Sequence, residues 1–275
     1  VRELKDWLRY RLKKKLHSRL ARCTAACVRA GARLRSGLGL PPGRDFVRSR
    51  YGVLMRANWG DRTFQYCRFG VYGRVLADFM ASRREDFVFL DIGANQGLYS
   101  LLAAKNPHCR AIVALEPVAG TFALLQQNVN ANGGADRTTL LQAALAAQSG
   151  SASITVSAGH SGVATLAQGN TSLRRAATET VRLIDVQELD RHVPGSPGPI
   201  IVKVDVEGFE DVVLAELMRS RHAARIKAVF YEVDTRWSDG ERLRATLAQA
   251  GFTSFTRFGR KGHHDVLAMR AAAPS

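Results

Sequence analysis

The feature that most constrains the fold is a repeat of short apolar runs, each followed by a turn and a helix-length segment. Phe87-Val88-Phe89-Leu90 ends at Asp91 and leads through a glycine-bearing turn into a predicted helix at Leu98–Lys105. Ala111–Leu115 ends at Glu116-Pro117, ahead of a helix over Thr121–Asn132 closed by Gly133-Gly134. Leu140–Ala144 reads as a third strand. Ile200–Val204 is a fourth, ending at Asp205, with a helix at Phe209–Met218. Lys227–Val233 and Arg242–Ala250 repeat the unit, and Phe252–Phe258 with Asp265–Met269 closes the chain as an antiparallel hairpin. Short apolar runs without alternation mark strands covered on both faces. Repeated βα units joined by right-handed crossovers then give a mostly parallel sheet. Ligands of such sheets bind beyond the carboxyl ends of the strands, so the acids that end these strands converge on one crevice.

The 275 residues, 46% hydrophobic and 23% charged, suit a globular chain. The length predicts one large α/β domain over residues 51–275 and an appendage over 1–50. Net charge is +16, yet residues 1–50 hold fifteen Lys/Arg against Glu3, Asp6 and Asp45. That is +12, which leaves +4 for the rest, so the basicity belongs to the appendage. Leu4, Leu8, Leu12, Leu16 and Leu20 recur at every fourth position, a helical spacing. Lys5, Arg9, Lys15 and Arg19 nevertheless fall within about 60° of the stripe's centre and interrupt it. Three readings stay open: a cationic helix on an anionic membrane surface through residues 1–30, a helix docked on its own core or a partner subunit, and a solvated basic arm. Leu40-Pro41-Pro42-Gly43 reads as the linker. The four cysteines form no CxxC pair, and Cys23–Val28 is too short for the apolar part of a signal peptide. The expectation is a cytoplasmic chain, or one attached peripherally to the inner face of a membrane through the arm. A homo-oligomer is left open.

Four strand ends carry the candidate chemistry. Asp91-Ile92-Gly93-Ala94-Asn95-Gln96-Gly97 has the spacing D-x-G-x-x-x-G, which lacks the G-x-G-x-x-G order of dinucleotide sites and counts against a nicotinamide oxidoreductase. An acid there suits a ligand with a cationic end; the plainer alternative is a structural βα turn. Glu116, nineteen residues after Gly97, is placed to accept hydrogen bonds from a ribose diol, or else to cap the helix near Thr121. Asp205 and Glu207 could divide base and orienting roles toward an acceptor hydroxyl, or bind a divalent metal. Glu207 and Glu210 would also favour a helix N-terminus without any chemistry. Lys203, in a strand predicted to be buried, is expected to pair with one of these acids. Glu232 and Asp234 end the fifth strand. Glu232 and His160, the latter in the charge-free segment Ser157–Ser172, are candidates for binding the acceptor, and His263 and His264 are further base candidates.

Asp91-Ile92-Gly93-Ala94-Asn95-Gln96-Gly97-Leu98-Tyr99-Ser100, Leu115-Glu116-Pro117 and Lys203-Val204-Asp205-Val206-Glu207-Gly208-Phe209-Glu210 together resemble the FkbM family of S-adenosylmethionine-dependent methyltransferases. Weaker echoes are Ala143-Ala144-Leu145, Val181–Leu189 and Phe230-Tyr231-Glu232. The resemblance runs from about Tyr51 to Met269 and leaves out residues 1–50. It implies a Rossmann-like class I methyltransferase fold, with a mostly parallel seven-stranded sheet and a C-terminal antiparallel hairpin. It also implies methyl transfer from S-adenosylmethionine, usually to a hydroxyl of a sugar, lipid-linked glycan or natural product. Carried over by position, Asp91, Gly93, Asn95 and Gly97 would hold the methionine part, Glu116 the ribose, and Ala144 would bound the adenine edge.

The nearest rival is methylation of RNA or another nucleic acid, favoured by the basic arm. Enzymes of that kind commonly show an Asn/Asp-Pro-Pro-aromatic turn after the fourth strand. Here the turn reads Asp205-Val206-Glu207-Gly208, whose carboxylates would repel phosphate. A rival of another class is a non-catalytic scaffold that binds a nucleoside while its arm anchors partners.

Overall fold

The computed structural model describes residues 45–71, 73–157, 161–162, 164–165, 176–195, 198–260 and 262–271, with 19, 22–28, 30–31 and 33–34. The leucine stripe and His160 lie outside the described residues. The chain divides into two compact units, residues 1–74 and 75–275.

In the first unit, residues 22–28 are helical, with Ala25 buried and Cys23 and Cys27 exposed. β1 (Phe46–Arg48) pairs antiparallel with β2 (Leu54–Arg56). α1 (Arg62–Phe69) starts at Asp61, whose carboxylate accepts the Phe64 N–H at 2.8 Å, and ends at Gly70 in the left-handed region. Phe64 is buried and meets Trp59 edge-on, ring centres 5.2 Å apart. α2 (Arg74–Ala81) belongs, apart from Arg74, to the second unit.

The second unit is built on a seven-stranded sheet. Its chain order is β3 (Phe87–Ile92), α3 (Leu98–Lys105), β4 (Cys109–Leu115), α4 (Ala119–Ala131), β5 (Thr138–Leu141), β6 (Ala144–Leu145), β7 (Gly150–Ser157), β8 (Ala164–Thr165), β9 (Ala176–Ile184), α5 (Val186–His192), β10 (Ile200–Val204), α6 (Glu210–Arg219), β11 (Ile226–Asp234), α7 (Gly240–Gln249), β12 (Phe252–Arg260) and β13 (His263–Arg270). The strand order is β12-β13-β11-β10-β3-β4-β5, parallel except where β13 runs against β11 and β12. This is the Rossmann-like order expected, with the antiparallel hairpin at one edge. Every residue of β3 and β10 is buried, as strands covered on both faces require. The largest core cluster joins Val88, Leu90, Val202 and Val204 of these strands to Val213, Leu217, Leu243 and Leu247 of the helices. No helix among the described residues is long and apolar enough to cross a membrane.

The main departure from the sequence reading lies in residues 138–184. The third strand, read as Leu140–Ala144, divides: β5 stops at Leu141, and β6 belongs to a second sheet of order β6-β9-β7-β8. The charge-free segment, read as a loop from Ser157, follows β7, and its residues 164–165 form β8. β7 pairs antiparallel with β9 from Gly150↔Leu183 to Ser157↔Ala176. An apolar run cannot announce which sheet it joins, and small polar residues blur the alternation of β7.

Candidate active site

The chain leaves β3 outward to β4 and β5, then returns through β10 on the other side of β3. That reversal is the switch point at which doubly wound sheets bind ligands. Lys203 pairs in register with Asp91, and Val204 with Ile92, so the two signature segments end side by side.

Close approach of the two turns requires Gly93. Its φ is +77°, and a Cβ there would lie 2.0 Å from the Asp205 carbonyl oxygen. Gly97 is favoured by its φ of +87°, and a Cβ there would also press on Leu125 Cδ1 at 2.5 Å. Both glycines thus join elements tightly. Among the described residues, the non-glycine residues with positive φ are Asn95 at 52° and Glu207 at 53°, one in each turn. Such conformations cost roughly 1–3 kcal/mol each and gather at functional sites. Asn95 offsets part of this by accepting the Gln96 N–H at 2.8 Å and the Ser161 hydroxyl at 3.0 Å.

Asp91 is fully buried. Its Oδ2 accepts the Ser100 N–H at 3.1 Å and hydroxyl at 2.6 Å, while Oδ1 lies 3.5 Å from Lys203 Nζ. Asp91 therefore anchors the start of α3 and the lysine. Glu116, also buried, accepts the Asn95 N–H at 2.9 Å on one oxygen and the Val118 N–H at 3.0 Å on the other. Burial pushes its carboxyl up to about 7, against the lowering effect of those amides and the Lys203 charge. Ala144 sits half-buried in β6, paired with Leu183.

Lys203 is buried beneath the crevice. Its ammonium donates to the Gly93 carbonyl oxygen and lies 3.7 Å from Asp205 Oδ2. Burial works against its charge, but Asp205, Asp91 and Glu116 outweigh that and raise its pKa. The pairing expected of Lys203 is thus with Asp91 and Asp205 at once.

Beyond β10 and β11, Asp205, Glu207 and Glu232 each bring a carboxylate oxygen within 4.8 Å of the other two. Burial, then the charges of Asp205 and Glu232, push Glu207 up to about 9. Glu232 is raised for the same reasons, with His263 opposing. His263 Nε2 lies 3.0 Å from Glu232 and Nδ1 3.3 Å from Asp234. The hydrogen bond to Glu232, ahead of an opposing burial effect, raises the imidazole to about 9. Asp234 is held low chiefly by its pair with Arg236.

Glu210 holds this cluster in place. It accepts from the Val206 and Gly208 amides at 3.2 Å and from the Ser238 hydroxyl at 2.7 Å, tying the Asp205–Gly208 turn to the loop after β11. Sequence reasoning assigned Glu210 only a helix-end role and missed Ser100, Ser238 and Arg236. Ser100 stands in the first signature, a readable signal; Ser238 and Arg236 carry none.

A family model described as the methyltransferase FkbM domain matches residues 91–254. Among solved structures, precorrin-6y C5,15-methyltransferase from Geobacter metallireducens GS-15 is 13% identical, with 72% of this chain and 86% of that one covered and a TM-score of 0.41. A protein of the NADB-Rossmann superfamily from Streptococcus agalactiae is 12% identical over 74% of this chain and 71% of its own, TM-score 0.42. Similarities this distant say nothing of substrate. No curated protein matches the chain.

Proposed function

The chain belongs to the FkbM methyltransferase family, and we propose that it transfers the methyl group of S-adenosylmethionine to a hydroxyl oxygen of a sugar, a glycan or glycolipid, or a natural product. The side chains suit that cofactor by their chemistry. A cationic ligand meets a crevice rich in carboxylates, and each oxygen of Glu116 accepts one backbone amide, which leaves a lone pair on each for a diol. In this reading Asp91, Gly93, Asn95 and Gly97 form the turn that holds the methionine end, Glu116 takes the ribose hydroxyls and Ala144 bounds the base. The cofactor supplies an electrophilic methyl group on a sulfonium.

The observation that carries the reading is the placing of Asp205 at the switch point, ion-paired to buried Lys203. An alcohol is a weak nucleophile until a base takes its proton, and positioning it in line is a large part of the catalysis. Glu207 stays protonated through neutral pH, so it donates a hydrogen bond and orients. Asp205 is left as the base. Lys203 positions Asp205 and balances its charge, while Glu232 and His263 bind neighbouring hydroxyls of the acceptor.

A second reading rests on the three converging oxygens. Asp205, Glu207 and Glu232 form an all-oxygen set of the kind hard divalent cations take. A metal held there would lower the pKa of a hydroxyl and keep all three carboxylates ionised. Loss of turnover in a chelator, restored by Mg2+ or Mn2+, would favour it.

The direct test is transfer of labelled methyl from S-adenosylmethionine into an extract of the source cells, fractionated into glycolipid, polysaccharide, RNA and small molecules, with Asp91→Ala beside it. Label in glycan, lipid or small-molecule fractions, absent from the variant, is expected. Label in RNA would overturn the acceptor class. Cofactor binding without label anywhere would favour the scaffold.

A further inference from the structure

On the other face of β11 from the acidic cluster lies a groove of about 810 Å3. Tyr231, Val233, Val266 and His264 floor it, because alternate residues of a strand face opposite ways. The loop after β11, the first turn of α7 and β12 wall it with Trp237, Arg236, Arg244 and Arg257. Its volume falls in the range of small-molecule sites.

Two observations point to an anionic ligand. Arg244 and Arg257 come from different elements and both reach the groove, and among the described residues neither meets a carboxylate. Arg244 is held over the Phe255 ring at 5.1 Å. Burial and the Arg257 charge lower the pKa of His264, so the positive charge of the groove is that of its arginines. The two acids in the lining do not cancel this character equally. Asp239 is committed to capping α7, accepting the Glu241 and Arg242 amides at 3.0 and 3.3 Å. Glu241 remains as an acceptor for hydroxyl groups. Trp237 adds a partly exposed flat apolar face suited to a sugar ring.

The groove adjoins the crevice and is linked to it by hydrogen bonds and by Arg236. Arg236 lines the groove, pairs with Asp234 and feels the charges of Glu207 and Glu232. The rim is stapled by Thr235 N–H to the Gly262 carbonyl at 2.8 Å and by Ser238 to Glu210. An acceptor that presents a hydroxyl to Asp205 therefore extends over the end of β11 into a basic, aromatic slot.

We infer that this groove is the subsite for the phosphate-bearing part of the acceptor, a glycosyl phosphate gripped by Arg244 and Arg257. Two planar guanidiniums from separate elements match the several acceptor oxygens of a phosphate. The inference rests on the proposed transfer to a sugar hydroxyl. Such phosphates come from nucleoside diphosphate sugars or from lipid diphosphate-linked sugars.

Isothermal titration of the full chain at low salt separates the cases. Glucose 1-phosphate is expected to bind about tenfold tighter than glucose. Arg244→Ala and Arg257→Ala, both at exposed positions, should each weaken the phosphate ligand about 5- to 10-fold while the melting temperature and the affinity for S-adenosylmethionine stay unchanged. UDP-glucose and farnesyl diphosphate form the two further arms, and tighter binding of either supports the inference and names the source. No preference for the phosphorylated sugar, or a preference that survives both substitutions, overturns it. Failure of the methyl-transfer reading shows separately, as absence of S-adenosylmethionine binding by the unaltered chain.

Discussion

The two sides of β11 differ more than their shared backbone suggests. On one side Glu232 joins Asp205 and Glu207 in a crowded, partly buried cluster in which burial and neighbouring charge push Glu207 up to about 9 and raise Glu232. On the other, Arg244, Arg257 and Trp237 surround open space. The crowded side stores unfavourable electrostatics that a substrate proton or a cation can relieve, and the open side holds charge ready for a ligand. On the proposed reading, chemistry and recognition lie on opposite faces of one strand, and substitutions on each face test whether they can be altered separately.

The largest effect should come from the crowded side. Asp205→Asn is expected to lower methyl transfer by roughly 10^2- to 10^4-fold, with S-adenosylmethionine and glucose 1-phosphate affinities retained; single-turnover label transfer and titration measure both. A variant that also lost glucose 1-phosphate binding would show the two sides to be one site. Next is Gly93→Ala, which sets a Cβ against the Asp205 carbonyl at a positive φ. It should cost about 2–4 kcal/mol, lowering the melting temperature by roughly 5 °C or more, while Arg244→Ala does not.

The pH dependence distinguishes the sides further. The folded-state pKa of Glu207, about 9 against an ordinary 4.5, means that the folded chain keeps a proton the unfolded chain has lost. Stability from this group falls as pH rises from 4.5 through 9. Glu207→Gln should therefore stabilise the protein at pH 8–9 by about 1 kcal/mol or more, with no gain near pH 4. A thermal-melt series in which the gain were constant with pH would count against the shared proton. The smallest effect belongs to His263, whose raised pKa stabilises the fold fully below 6.5 and ceases to do so as pH passes 9. His263→Gln should lose about 0.5–1 kcal/mol at pH 6, given its exposure to solvent, and match the unaltered chain above pH 9.

Much of this was legible in the chain itself. Strand identity, the acids at strand ends, and the family signatures of residues 91–100 and 203–210 are local patterns, readable because a buried parallel strand and its turn are specified by neighbours in sequence. Residues 138–184 were harder. β5 and β6 are separated by only Gln142 and Ala143 yet join different sheets, and no local period distinguishes them. The site's electrostatics were harder still. Glu232 and His263 are thirty-one positions apart and meet only because β13 runs antiparallel to β11 in one register, placing His263 opposite Asp234.

The sequence by itself determined which elements form and which residues end them, since hydrophobic pattern and turn chemistry act over a few residues. Only the tertiary structure decided that Lys203 serves two carboxylates, that Glu207 keeps a proton beside Asp205 and Glu232, and that three arginines collect on the far face of β11. Charge interactions depend on distance through space and on burial, and both are set by strand order and register.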